Sequence, residues 1–285
     1  MFDIFLLEAM INGVLLGGVL ALLALGLNLV FGVIDVVWIC YAEMVMIGMY
    51  VIWWLFVQHG VPLPVAIGAA IVLVAIAGVA LHVLVIEPVL GTPPINQLLV
   101  TGGVLFFLQA AATLVFGIEF RNLGLRMPIV EFADMFFSFA RILAFVTALG
   151  GVLVLWLFLT RTYLGTAIRA ISQDREIMPL MGVNPRRIYL VTSAIGGAMA
   201  GIAAALLALQ YDVHPAVGLS FGPITFMICV LGGLGNMAGG FIAAFVFAQF
   251  ISVGGFYFHV EWGYVIAFAF FIVMMFVKPQ GLFSR

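Results

Sequence analysis

The sequence predicts an all-α fold, a polytopic transmembrane helical bundle of about 8–9 membrane segments, some of them short or broken. Three observations predict it. Apolar residues fill 66% of the 285 positions and charged residues only 8%, whereas a soluble domain carries roughly 25% charge because its surface faces water. The apolar residues fall in stretches, at roughly 9–32, 38–57, 63–85, 97–117, 138–159, 188–210, 222–233, 236–253 and 260–277, most of them long enough to cross a bilayer at about 20 residues per span. Lipid offers no partner for open backbone groups, so such stretches must be helices. The gaps carry turn signals: Val61-Pro62-Leu63-Pro64, Glu87-Pro88, Thr92-Pro93-Pro94, Met127-Pro128 and His214-Pro215.

Taken in order, the N-terminus carries Asp3 and Glu8 and no basic residue. A secretory signal peptide begins with a basic region, so the first stretch is expected to stay in the mature protein. No soluble domain, linker or low-complexity segment interrupts the chain, and 1–285 reads as one membrane domain. After the fifth stretch, one loop holds five of the ten basic residues, Arg161, Arg169, Arg175, Arg186 and Arg187. The excess of positive charge assigns that loop to the cytoplasm. Lys278 and Arg285 place the C-terminus there too, and counting back through five spans puts the N-terminus outside.

Parity then requires an even number of crossings between this loop and the C-terminus. Stretches 188–210 and 260–277 make two, so 222–253 must cross twice or dip and return. Its middle, Leu231-Gly232-Gly233-Leu234-Gly235-Asn236-Met237-Ala238-Gly239-Gly240, has five glycines in ten residues, enough to break a helix or let helices touch. Two short or broken helices meeting at this turn, with irregular backbone at membrane depth, is one reading; a tight cytoplasmic hairpin is the other.

Several chemistries are excluded or unsupported. The only lysine is Lys278, before Pro279, so the G-x-x-x-x-G-K-[ST] phosphate loop is absent and this polypeptide does not bind ATP by that route. His59, His82, His214 and His259 lack metal-ligand spacing, and no G-x-S-x-G elbow is present. No metal, cofactor or catalytic residue is therefore assigned, and no basic run points to nucleic acid. Cys40 and Cys229 sit in apolar stretches and read as small buried side chains.

The basic loop, about 161–187, is the most informative feature. Ala167, Ile168, Ala170 and Ile171 give a small apolar face. Ser172, Gln173, Asp174, Arg175 and Glu176 follow, and then Ile177, Met178, Leu180 and Met181 form a second apolar patch ended by Gly182. A short amphipathic helix with an apolar rim needs a cover, either a partner's groove or the membrane surface. A plain stop-transfer loop accounts for the arginines but not for Asp174, Glu176 and the two patches.

This loop resembles the coupling segment of ABC importer permeases, specifically the branched-chain amino acid permease family, whose pattern is R-T-x-x-G-x-A-x-R-A-x-x-x-D…L-x-G-[IV]-N…R. The chain supplies Arg161, Thr162, Gly165, Ala167, Arg169, Ala170, Asp174, Leu180, Gly182, Val183, Asn184 and Arg187. The resemblance continues in Asn12-Gly13, Ala24-Leu25-Gly26-Leu27, Gly196-Gly197-Ala198-Met199-Ala200-Gly201, Leu231-Gly232-Gly233-Leu234-Gly235-Asn236 and Lys278-Pro279-Gln280-Gly281-Leu282-Phe283. It implies a bacterial inner-membrane permease subunit that forms half of a solute path. It implies two cytosolic ABC ATPase subunits on the coupling segments, a second and usually different permease subunit, and a periplasmic solute-binding protein. The coupling residues it implies are Ala170, Asp174, Arg175, Glu176, Leu180, Met181 and Gly182.

One departure stands out. Where the family reads N-F-A-H-G-[DE], this chain has Trp38-Ile39-Cys40-Tyr41-Ala42-Glu43. By resemblance the stretch lies at a membrane break near the path. Trp and Tyr make it bulkier, which points to a narrower pore or to a solute such as an aromatic or hydrophobic carboxylate in place of a simple branched-chain amino acid. Trp38 and Tyr41 also read as ordinary core or interface aromatics. Glu43 among Cys40, Met44, Val45 and Met46 is costly unless it faces a cavity or a partner. With Asn96, Gln97 and Gln109, these residues form the candidate substrate path; the three amides equally read as bonds between helices. The pairs Gly13/Gly17, Gly197/Gly201 and Gly235/Gly239 read as close helix contacts. The mixed-charge stretch 119–135, with Glu119, Arg121, Arg126, Glu131 and Asp134, falls on the outer side as a docking surface or a solvated loop.

A secondary transporter or channel working without ATPases is the alternative; it predicts ion-coupling carboxylates and inverted repeats, and no convincing repeat is visible. An intramembrane enzyme lacks a nucleophile–base or metal set.

Overall fold

The structure, a computed structural model, describes all residues except Met1, Arg126, Met127, Ala133, Asp134, Glu176, Ser284 and Arg285. Of the residues singled out above, Arg126, Met127, Asp134, Glu176 and Arg285 therefore lie outside the described residues. Helices account for most of the rest: α1 Phe2–Ile34, α2 Tyr41–Trp53, α3 Leu63–Leu81, α4 Pro94–Phe116, α5 Phe139–Arg161, α6 Tyr163–Gln173, α7 Pro185–Ala208, α8 Val217–Gly232, α9 Met237–Tyr257 and α10 Val260–Val277. α2 runs on into a wider π-type turn, Trp54–Gln58, and α3 into another, His82–Ile86. Among the described residues, 7 helices are long and apolar enough to cross a membrane, and α8 and the apolar part of α10 are shorter.

Each apolar stretch of the sequence became one of these helices, with different ends. α1 extends to Phe2 and Ile34 rather than 9–32, α2 begins at Tyr41 rather than 38, and α8 begins at Val217 rather than 222. The mixed-charge stretch holds an unpredicted antiparallel hairpin, β1 Ile129–Phe132 with β2 Met135–Ser138. Met135 and Phe137 pack with Leu15 and Phe145, seating the hairpin against the starts of α1 and α5.

Polar contacts fix the directions of the helices. Arg141 Nη1 donates to Asn12 Oδ1 at 2.9 Å, so the starts of α5 and α1 share one face. At the other face the end of α1 meets the 161–187 segment, where Arg175 lies 3.7 Å from Asp35. Glu87 after α3 pairs there with Arg186 of α7 at 2.7 Å. Four helices follow the segment, and the chain returns to this loop face, where Leu282 N–H donates to Leu231 C=O at 2.8 Å.

Small residues let the backbones touch, which matters because lipid tails are as apolar as Leu and give helices little hydrophobic reason to associate. A Cβ on Gly197 would lie 2.5 Å from Val74 O, and one on Gly201 would lie 2.7 Å from Ile71 Cα, so α7 and α3 are in backbone contact. Gly13 and Gly17 face Gln249 and Phe245 of α9, and Gly235 and Gly239 face Gly32 and Gly232.

The glycine-rich turn between α8 and α9 is a hairpin on the same face as the 161–187 segment. Gly233 (φ 96°) and Gly235 (φ 81°) close it in a backbone region that side chains avoid. Asn236 then caps α9 by accepting from Gly239 N–H at 3.0 Å, and Asn28 of α1 accepts from Gly235 N–H at 3.2 Å.

A break in the helical backbone lies elsewhere, in residues 35–40. Tyr41 Oη packs against Gly26, about 12 Å above the end of α1 at 1.5 Å per residue. The linker climbs back along α1, and Thr101 Oγ1 of α4 donates to its Val37 carbonyl at 3.0 Å. Irregular backbone survives inside a membrane only when protein covers it, and here α1 and α4 do.

Candidate functional site

The linker and the first turn of α2 form one wall of a cavity of about 470 Å³. Trp38 and Tyr41 contribute from this wall, Leu27 from α1, Leu98 and Leu105 from α4, and Phe226 from α8. The lining is overwhelmingly apolar, and its few polar groups are specific. Tyr41 Oη donates to Gly196 C=O at 3.3 Å, and Thr225 Oγ1 donates to Phe221 C=O at 2.8 Å. Trp38 Nε1 is buried with no hydrogen-bond partner. Pro223 sits inside α8 without an N–H to give, so the Leu219 carbonyl one turn earlier, also in the cavity wall, lacks its helical donor.

Glu43 stands behind this wall rather than in it. Its side chain is fully buried, and its carboxylate presses on the backbone of Gly218, itself a wall residue. Both carboxylate oxygens lack a hydrogen-bond partner. An unpaired buried carboxylate is among the costlier features a membrane protein carries.

The amides proposed for the path do not converge on this cavity. Asn96 is exposed on the first turn of α4. Gln97 Nε2 donates to Thr92 C=O at 3.1 Å, closing the α3–α4 connection. Gln109 lies half-buried further along α4, its carbonyl accepting from Thr113 Oγ1 at 2.9 Å. The helix turns its apolar Leu98 and Leu105 toward the cavity instead.

A second cavity, about 580 Å³, opens toward the face opposite the loop. Phe120, Tyr211, Asp212, His214 and Tyr264 line it, and it shares Leu219 and Pro223 with the first. Burial holds His214 below the ordinary imidazole pKa, opposed by the neighbouring Asp212. Sequence reasoning marked His214-Pro215 only as a turn. The aromatic residues that join it, Phe120 and Tyr264, are too far apart in the chain for any spacing rule to unite them. Arg121 beside this mouth is structural: its guanidinium lies 4.3 Å from the Trp53 ring centroid and donates to Phe116 C=O at 2.6 Å.

At the loop face, α6 starts where Thr162 Oγ1 accepts from Gly165 N–H at 3.0 Å. Ala167, Ile168 and Ile171 are buried against the bundle, and Ala170 is half-buried. Asp174 Oδ1 accepts from Ile177 N–H at 3.1 Å, starting the turn Met178–Met181 that Gly182 ends at φ 81°. Ile177 is 53% exposed, Leu180 84% and Met181 74%. The loop thus has one apolar patch that its own bundle covers and a second of which only Met178 packs against the core, leaving Ile177, Leu180 and Met181 exposed.

Continuous apolar helices, a re-entrant linker, two cavities in series and a protruding amphipathic loop define a polytopic membrane permease. The chain belongs to the family described as "Branched-chain amino acid transport system / permease component", whose profile it matches over residues 9–275. It is similar to the high-affinity branched-chain amino acid transport system permease protein BraD of Pseudomonas aeruginosa, with 29% identity over 98% of this chain and 96% of that one. The corresponding LivH protein of Salmonella typhimurium is also 29% identical, over 99% and 96%. The autoinducer 2 import system permease protein LsrD of Photorhabdus laumondii is 29% identical over 64% of this chain and 55% of its own. Among solved structures, PsaBC from Streptococcus pneumoniae in complex with Fab shares the fold, with a TM-score of 0.53 and 13% identity over 94% of this chain and 91% of that one.

Proposed function

We propose that this chain is the membrane-spanning permease subunit of an ATP-driven importer, a single domain over 1–285 that forms half of the path for a small solute. The solute is a branched-chain or other hydrophobic amino acid, or an aromatic or related carboxylate. One observation carries the reading: the exposed patch Ile177, Leu180 and Met181 stands on a short turn directly after α6, a helix whose apolar face is locked into the bundle. A rigid protruding knob suits docking in a partner's groove, and family membership supports an ATPase as that partner. Two cytosolic ATPases, a second permease subunit that closes the path and a periplasmic binding protein complete the machine.

The loop face is cytoplasmic in this reading. Arg161, Arg169, Arg175, Arg186, Arg187 and Lys278 gather there, which the positive-inside rule favours. The N-terminus is then outside, the C-terminus is inside, and the chain lies in the bacterial inner membrane. The outer cavity, with Asp212 and His214, receives solute. The inner cavity takes its apolar body, with the Trp38 N–H and the Leu219 carbonyl as the polar contacts.

Co-purification tests this. The tagged chain should bring two ATPase subunits and a second permease, and the assembly in proteoliposomes should take up solute only with ATP inside. Transport by the lone chain without ATPases would overturn the reading in favour of a secondary transporter. Glu43→Gln should leave assembly intact and lower uptake, because its carboxylate presses on Gly218 in the cavity wall; unchanged uptake would show that Glu43 has no part in shaping the path.

A further inference from the structure

We propose that the Asp35–Arg175 ion pair is a latch that carries movement of the 161–187 segment to the wall of the inner cavity. The inference rests on the reading that this segment docks an ATPase. It adds a specific route from the docking knob to the solute path.

Four observations meet at Asp35. It is the only non-glycine with positive φ (61°) among the described residues, a conformation that side chains adopt at a cost and that concentrates at switch regions. It stands where α1 stops, its N–H donating to Phe31 C=O at 2.8 Å to close the last turn. It opens the 35–40 linker, which carries Trp38 and Ile39 into the cavity wall three and four positions later. Its carboxylate lies 3.7 Å from Arg175 Nη1.

Arg175 in turn sits between the two halves of the loop, after the seated α6 and just before the exposed Ile177, Leu180 and Met181. A force on that knob therefore reaches Arg175 first and Asp35 next. A solvated ion pair at this distance is weak enough to break and remake. There is also room for it to move: a cleft of about 550 Å³ is lined by Asp35, Ile171, Asp174 and Arg175. The linker is the part of this neighbourhood free to respond, because helical hydrogen bonds hold α1 and α6 whereas residues 35–40 have few.

The test reads the cavity wall directly and needs no knowledge of the solute. Cys40 and Cys229 are replaced by Ala, and Ile39→Cys reports the wall by its rate of maleimide labelling in the assembled importer. Binding of a non-hydrolysable ATP analogue should change that rate about fivefold, the scale of a typical coupling between sites. Asp35→Asn, which removes the charge but tolerates the left-handed backbone, should reduce the change below about twofold. Arg175→Ala should do the same, and the double variant should be no worse than either single, because both remove one link. ATPase association is measured alongside, and Asp35→Asn carries the test where Arg175→Ala lowers association. A nucleotide response that persists in Asp35→Asn with the ATPase bound overturns the latch, as does a wild-type wall that does not respond. A wild-type chain that recruits no ATPase overturns the parent reading, and the latch with it.

Discussion

The two halves of the 161–187 segment have similar composition and opposite fates. In α6, Ala167, Ile168 and Ile171 are buried, with Ile171 fully so. A few residues on, Ile177, Leu180 and Met181 stand in the open. Position relative to the bundle, not hydrophobicity, separates them. α6 is tied back by the Thr162 cap and by the close approach of Gly165 to the end of α5, and its apolar side is drawn into the chain's own core. The second half turns outward after Asp174, with Met178 packing back against the core and Ile177, Leu180 and Met181 left outside. The difference teaches that burying one half gives the other a rigid base, so that a force on the knob moves a helix rather than a loose loop.

The largest effect should come from attacking the seated half. Ile171→Asp puts an unpaired charge into a closed apolar site and should cost about 3–5 kcal/mol. The protein should fail to accumulate in the membrane, as read by fluorescence-detection size exclusion. Normal accumulation would mean that α6 is not locked to the bundle.

Next is the cap. Thr162→Ala removes the acceptor for Gly165 N–H and the hydroxyl that donates to Phe158 C=O at 2.7 Å. A loss of about 1 kcal/mol is expected, visible as a lower melting temperature in detergent with the knob's sequence unchanged. Asp174→Ala should have the smallest effect. Among the contacts of Asp174 is an exposed hydrogen bond from Ile177 N–H, worth about 0.5 kcal/mol. The melting temperature should hold while ATPase association weakens roughly twofold.

Much of this fold was legible in the sequence because the bilayer imposes few solutions. Each apolar stretch had to be a helix, and parity required 222–253 to cross twice or to dip and return, which the antiparallel pair α8 and α9 fits. The amphipathic loop was legible from residue types alone. Rotation about a helix axis was not, because lipid and core are equally apolar and leave no periodic signal. Asn96, Gln97 and Gln109 looked like path residues for that reason, yet α4 presents Leu98 and Leu105 to the cavity. The linker at 35–40 was legible only in part: the gap after 9–32 marked a break, but Trp38, Ile39 and Cys40 are as apolar as a helix interior and read as the start of the next helix, which begins at Tyr41. Its place beside the path came from resemblance, not from hydropathy. The hairpin at 129–138 was masked by its charges, and the outer cavity by the distance in sequence between Phe120, Asp212 and Tyr264.

The central claim is that the open half of the loop is a docking knob for an ATPase, and one double substitution tests it most directly. Leu180→Asp with Met181→Asp changes only exposed side chains, so insertion, accumulation and melting temperature should match the wild type. Two buried anchors lost from an interface should weaken association about 30-fold or more, and co-purification of the ATPase should disappear with ATP-driven uptake. Full ATPase association by this stable variant would contradict the assignment of the knob.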